Sequence, residues 1–115
     1  MGIFDIFKPS PKPARVVSRP FDFYLPAIAV GATFRFFVDV HLPAAVQYKP
    51  LNFLEVYNGS NTILTVRYES EGGELFRIEA NSSRIIKNYF NQLIFVNAGA
   101  NALPANTAIC TMQRI

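Results

Sequence analysis

TFRFFVDVHL, residues 33–42, alternates Phe34, Phe36, Val38 and Val40 against Arg35, Phe37, Asp39 and His41. A strict period of two places the first set on one side of an extended chain and the second on the other, so the stretch predicts a strand with one buried face. Two charges and a histidine on the second side predict that this side is at least partly wet. The same rhythm recurs along the chain. FDFYLPAIAV precedes the stretch, bent by Pro26, and LNFLEVYN, TILTVRYES, LFRIEA, RIIKNYF, QLIFVNA and TAICTMQR follow it. Gly, Asn, Ser or Pro separate the runs at spacings near ten residues. About eight short β-rich runs predict an all-β antiparallel sandwich of jelly-roll or Greek-key type, with residues 21–115 as its domain. The turn group Asn58–Asn61 between LNFLEVYN and TILTVRYES predicts a hairpin, and HLPAAVQYKP is a long connection before the third strand.

At 115 residues the chain suits one domain, and a chain of this size buries roughly 65% of its unfolded surface. Hydrophobic residues make up 50% and charged residues 17%, which excludes disorder for the bulk of it. Cys110 is the single cysteine, so no disulfide forms within the chain, and a lone thiol of this kind reads as a small buried hydrophobe.

Residues 1–20, MGIFDIFKPSPKPARVVSRP, differ from the rest. Lys8, Lys12, Arg15 and Arg19 stand against Asp5, whereas residues 21–115 balance seven bases with seven acids, so the whole excess of +3 lies in this segment. Ile3, Phe4 and Phe7 fall on one side of a short amphipathic turn, and Pro9, Pro11 and Pro13 impose an extended tether after it. The segment predicts an N-terminal docking arm. Ile3, Phe4, Ile6 and Phe7 would enter an apolar surface, while Lys8, Lys12, Arg15 and Arg19 would meet phosphates or carboxylates. Asp5 and Lys8 break the apolar run far short of a signal-peptide core, no run reaches the roughly 18 residues of a membrane span, and Ile6 stands where a myristoylation motif has Ser or Thr.

No catalytic signature is present, so the reading is of a non-enzymatic protein without a cofactor. His41 lacks the further ligands of a metal site and reads as a histidine near a strand end. Glu69, Glu71, Glu74 and Glu79 around Gly72 and Gly73 read as a solvated hairpin tip, and Asn58-Gly59-Ser60 and Asn81-Ser82-Ser83 as turn chemistry rather than glycosylation sites. The aromatic residues, with Arg35, Arg67 and Arg77 among them, could form a stacking platform, but base-stacking motifs are absent, and apolar contact between subunits suits them better.

From Leu51 to Ile115 the succession "VYNGS", "TILTVRYE" and "LFRIEANSSRIIKNYFNQLIFVNAGAN" resembles small β-sandwich structural proteins of viruses and phages. Within that group, the opening MGIFDIFKPSPKPAR looks like the arm of single jelly-roll proteins from tailless icosahedral phages with an internal membrane. The resemblance implies a virion or capsid component, made in the host cytoplasm, that forms a homo-oligomer. Its other partners would be neighbouring capsid proteins or an internal membrane surface, and nucleic acid is not expected. It carries over no site residue. The alternative is a β-sandwich module that binds glycan or nucleic acid.

Overall fold

The computed structural model describes residues 17–68 and 73–115. It contains eight strands: β1 (Phe21–Tyr24), β2 (Thr33–Phe37), β3 (Phe53–Asn58), β4 (Leu64–Tyr68), β5 (Leu75–Ile78), β6 (Ser82–Ile86), β7 (Gln92–Asn97) and β8 (Ala108–Gln113). They form two four-stranded antiparallel sheets, ordered β1-β8-β3-β6 and β2-β7-β4-β5. Among these strands every connection except β4–β5 crosses from one sheet to the other, which is the jelly-roll arrangement. The all-β antiparallel sandwich expected from the sequence is what the chain forms. Seven of the eight runs contain a whole strand, while β6 begins at Ser82, inside the Asn81-Ser82-Ser83 group read as a turn, and takes only residues 84–86 from RIIKNYF.

Alternation along the strands builds the core. Phe21 on β1, Phe36 on β2, Leu54 and Val56 on β3, Leu64 and Val66 on β4, Leu93 and Phe95 on β7, and Cys110 and Met112 on β8 all point between the sheets and are buried in one cluster. Removing a Leu or Phe side chain from such a core costs roughly 2 to 5 kcal/mol.

Two local expectations fail. LNFLEVYN and TILTVRYES do not pair as a hairpin: β3 lies between β6 and β8, and β4 lies between β5 and β7. Their apolar faces meet across the sandwich rather than side by side in one sheet. Asn58 turns the chain inward to make this crossing. The stretch 33–42 is also not one strand. After Phe37 it coils into α1 (Val38–His41), and a 3-10 helix (Pro43–Tyr48) follows. Helical pitch lets Val38 and Leu42, four residues apart, both reach the core, and the Leu42 N–H donates to the Val38 carbonyl at 3.0 Å. Val40, which a strand would have buried, is 67% exposed.

A buried polar network ties the sheets together at one end. Asn58 on β3 is fully buried; its Nδ2 donates to the carbonyls of Thr62 at 2.7 Å and of Ile78 and Glu79 at 3.3 Å. Its Oδ1 accepts from the Ser60 N–H at 3.1 Å and the Ser60 hydroxyl at 2.6 Å. The Thr62 hydroxyl donates to Asn97 Oδ1 on β7 at 2.9 Å, and Asn97 Nδ2 donates to the carbonyls of Ile28 and Asn101 at 2.9 and 2.8 Å. Both Asn amides are thereby satisfied on both sides. The sequon asparagines thus do serve turns: Asn58 is sealed inside, and Asn81 takes a left-handed conformation, φ 54°, between β5 and β6.

Asn58→Ala should destabilise the domain by about 2 to 4 kcal/mol in urea unfolding, because it strands several buried backbone partners. Asn97→Ala should cost about as much, and the double variant should lose less than the sum, since Thr62 joins the two sites. Gly99→Ala should cost about 1 to 3 kcal/mol, because its Cβ would collide with Thr62 Oγ1 and stand 2.6 Å from the Ile63 nitrogen.

Candidate interaction faces

With the apolar sets turned inward, the other residue of each alternating pair lies on an outer face. On the β1-β8-β3-β6 sheet the register sets Asp22, Thr111, Glu55 and Ile85 in one cross-strand row and Tyr24, Ile109, Tyr57 and Ser83 in the next. Tyr24, Tyr57 and Ile85 are about half exposed, at 53%, 47% and 53%. Thr111 donates its hydroxyl to Asp22 Oδ1 at 2.8 Å. Asp22 and Glu55 are the charged residues at outward positions of this face.

On the β2-β7-β4-β5 sheet the rows are Arg35, Ile94, Arg67, Leu75 and Thr33, Val96, Thr65, Arg77. Ile94 lies outside the core cluster, yet it is only 3% exposed. Its ladder neighbours on both sides are arginines, whose aliphatic stems can cover it. Thr33, Arg67, Ile94 and Val96 line a shallow depression here. Arg77 pairs with Glu79 at 2.7 Å at the margin. The three arginines scattered among aromatics in the sequence therefore share one face, while most of those aromatics are core.

The other residues singled out from the sequence fall as follows. His41 is not a strand-end residue but sits on α1, its ring between those of Phe23, Phe34, Phe36 and Phe37 at centroid distances of 5.1 to 6.3 Å. The Phe37 N–H donates to His41 Nδ1 at 3.0 Å. Asp39 turns away and binds Lys49 at 2.6 Å, so the two do not meet. Among the described residues no group of three or more His, Cys, Asp and Glu gathers as a metal site, and no helix is long and apolar enough to cross a membrane. Glu69, Glu71 and Gly72 lie outside the described residues. So do Ile3, Phe4, Ile6, Phe7, Lys8, Lys12 and Arg15 of the arm. Arg19 stacks over the Phe21 ring at 4.3 Å, and Ser18 exchanges two 2.8 Å hydrogen bonds with Arg114.

Over 97% of this chain and 90% of the other, the structure is similar to a chain in the X-ray structure of tomato aspermy virus, with a TM-score of 0.50 at 12% identity. What the two share is the fold. No family model and no curated protein matches the sequence.

A half-buried tyrosine and a buried cysteine shape the response to alkali. Burial pushes the Tyr68 phenol up to about 12, tempered by the nearby Asn88 backbone and reinforced by Glu74. Its hydroxyl is sealed from solvent, with no partner in full hydrogen-bonding geometry among the described residues. Complete burial also raises the Cys110 thiol far above its ordinary range, leaving it inert as a nucleophile. In both cases the unfolded chain ionises first and the folded chain holds its proton, so stability falls as pH rises and is unaffected below about pH 8. The urea midpoint should decline from about pH 9 upward. Cys110→Ala should flatten the early part of that decline and Tyr68→Phe the part above pH 10, its ordinary value. At pH 7 Tyr68→Phe should be neutral or stabilising by up to about 1 kcal/mol, since it removes an unpaired buried hydroxyl.

Proposed function

We propose that this protein is a non-enzymatic structural component of a virus particle, a capsid subunit that self-associates and docks through residues 1–20. The observation that carries the reading is the eight-strand jelly roll, similar over almost the full length of both chains to a chain from a virus structure. The outer faces support it further. Tyr24, Ile109 and Tyr57 stand next to one another across three strands, an apolar row of the kind that partners cover.

In this reading the sandwich supplies rigid, flat surfaces, and Ile3, Phe4, Ile6 and Phe7 insert into an apolar partner. Lys8, Lys12, Arg15 and Arg19 pair with its carboxylates or phosphates. Four such side chains contribute roughly 1.5 to 3 kcal/mol each before ordering entropy, and repetition over an oligomer multiplies a weak single contact.

The test is the mass of the full chain by light scattering, with flotation on vesicles of phosphatidylcholine and phosphatidylserine. The wild type should be oligomeric. A full-length variant with Ile3, Phe4, Ile6 and Phe7 each replaced by Ser should lose vesicle binding if the arm meets a membrane, or lose mass if it meets a neighbouring subunit. A strictly monomeric wild type that ignores vesicles would remove the proposal.

A further inference from the structure

The outward positions of the two sheets carry charges of opposite sign. Among the described strand residues, these are Asp22 and Glu55 on the β1-β8-β3-β6 face and Arg35, Arg67 and Arg77 on the β2-β7-β4-β5 face, Arg77 being already paired with Glu79 at the margin. The separation is hidden in the balanced charge of residues 21–115 and appears only once the register assigns each residue to a face.

The spacing also matches. Asp22 and Glu55 lie in one row with Thr111 between them, and Arg35 and Arg67 lie in one row with Ile94 between them. Each pair therefore spans two strand spacings, about 9.5 Å. Apolar side chains flank both pairs: Tyr24, Ile109, Tyr57 and Ile85 on the acidic face, and Val96 and Leu75 on the basic one.

We propose that these faces are the two halves of one contact between copies of this chain. The acidic β1-β8-β3-β6 face of one copy packs on the basic β2-β7-β4-β5 face of the next, with Asp22 and Glu55 set against Arg35 and Arg67. This deepens, and rests on, the proposed self-association. Charge decides the pairing. Two acidic faces would set carboxylates against carboxylates, and two basic faces guanidinium against guanidinium, each at a cost. The contact is thus heterologous, head to tail, and generates a ring or an open array rather than a two-fold dimer. Arg35 and Arg67 each already have a partner within the chain. A guanidinium has five donors, so a positioned arginine can take a carboxylate as well.

The overlap is modest, since four short strands span three strand spacings, about 14 Å. One contact is therefore weak and salt-sensitive, and strength comes from each copy using both faces.

The experiment uses two full-length variants, Asp22→Lys with Glu55→Lys, and Arg35→Glu with Arg67→Glu, each checked for folding by circular dichroism and thermal melting. In the first both faces are basic, and in the second both are acidic. Light scattering at low salt should show the wild type associating, each variant alone associating about tenfold or more weakly, and an equimolar mixture of the two regaining association. If either reversal impairs folding, the neutral pairs Asp22→Asn with Glu55→Gln and Arg35→Gln with Arg67→Gln replace it, and each should weaken association. Wild-type association that persists in the variants, or that the mixture of folded variants does not restore, would overturn the face-to-face contact and leave the structural role standing. A monomeric wild type would overturn the contact, and one that also ignores vesicles would overturn the structural role with it.

Discussion

The jelly roll depends on a polar connection as much as on its apolar core. Asn58 and Asn97 stand on different sheets, one on β3 and one on β7, and the Thr62 hydroxyl and carbonyl join them. Burying an amide without partners costs several kcal/mol, so a network of this kind tolerates few alternative arrangements. An apolar core can slide by a rotamer, whereas these amides are satisfied in one geometry. The crossing from β3 to β4, the turn from β5 to β6 and the loop after β7 all end on this network, through Thr62, Glu79 and Asn101. Gly99 belongs to it for steric reasons, since no side chain fits beneath Thr62.

Because these inward groups hold the sheets together, the outward rows are not needed for that purpose. Asp22, Glu55, Arg35 and Arg67 take no part in the core, and exposed charges contribute little to the stability of a monomer. Their sorting by sign onto opposite faces is not needed to close the core between the sheets. The same holds for Tyr24 and Tyr57, which a purely solvated face would not require. The outer surface has the composition of a contact surface, with aromatics and arginine arrayed on flat sheets.

Much of this was legible in the sequence, and the limits follow from what alternation encodes. A period of two tells which side of a strand is buried, and Phe36, Leu54, Val66 and Cys110 all obey it. It says nothing about which sheet the strand joins. LNFLEVYN and TILTVRYES have apolar faces that would serve a hairpin or two opposed sheets equally well, and the turn residues between them fit either. The deciding signal was Asn58, a polar residue at an inward position of β3, which a reading of Asn-Gly as turn chemistry alone passes over. The second half of TFRFFVDVHL misled for a related reason. Val38 is buried in a strand or a helix alike, and only Leu42, four residues on and before Pro43, hints at helical pitch. The faces were harder still, because Arg35, Arg67 and Arg77 are up to 42 residues apart in a neutral domain and meet only through the β2-β7-β4-β5 register.

The crossing topology itself produces the two-faced charge pattern. In a meander, consecutive strands share a sheet, and a charged run in the sequence spreads along one surface. Here β1 and β2 lie in different sheets, so Asp22 and Arg35 emerge on opposite outer faces although thirteen residues separate them. Glu55 and Arg67, on β3 and β4, divide in the same way. Residues 21–115, which balance seven bases with seven acids, thus set Asp22 and Glu55 on one sheet and Arg35 and Arg67 on the other although no two of these four are neighbours in the sequence. Long-range repulsion within the monomer stays small, since each face holds only a few charges and the sandwich core lies between them. Within one chain the two outer faces point away from each other and cannot meet, so their opposite charges do not pair with one another.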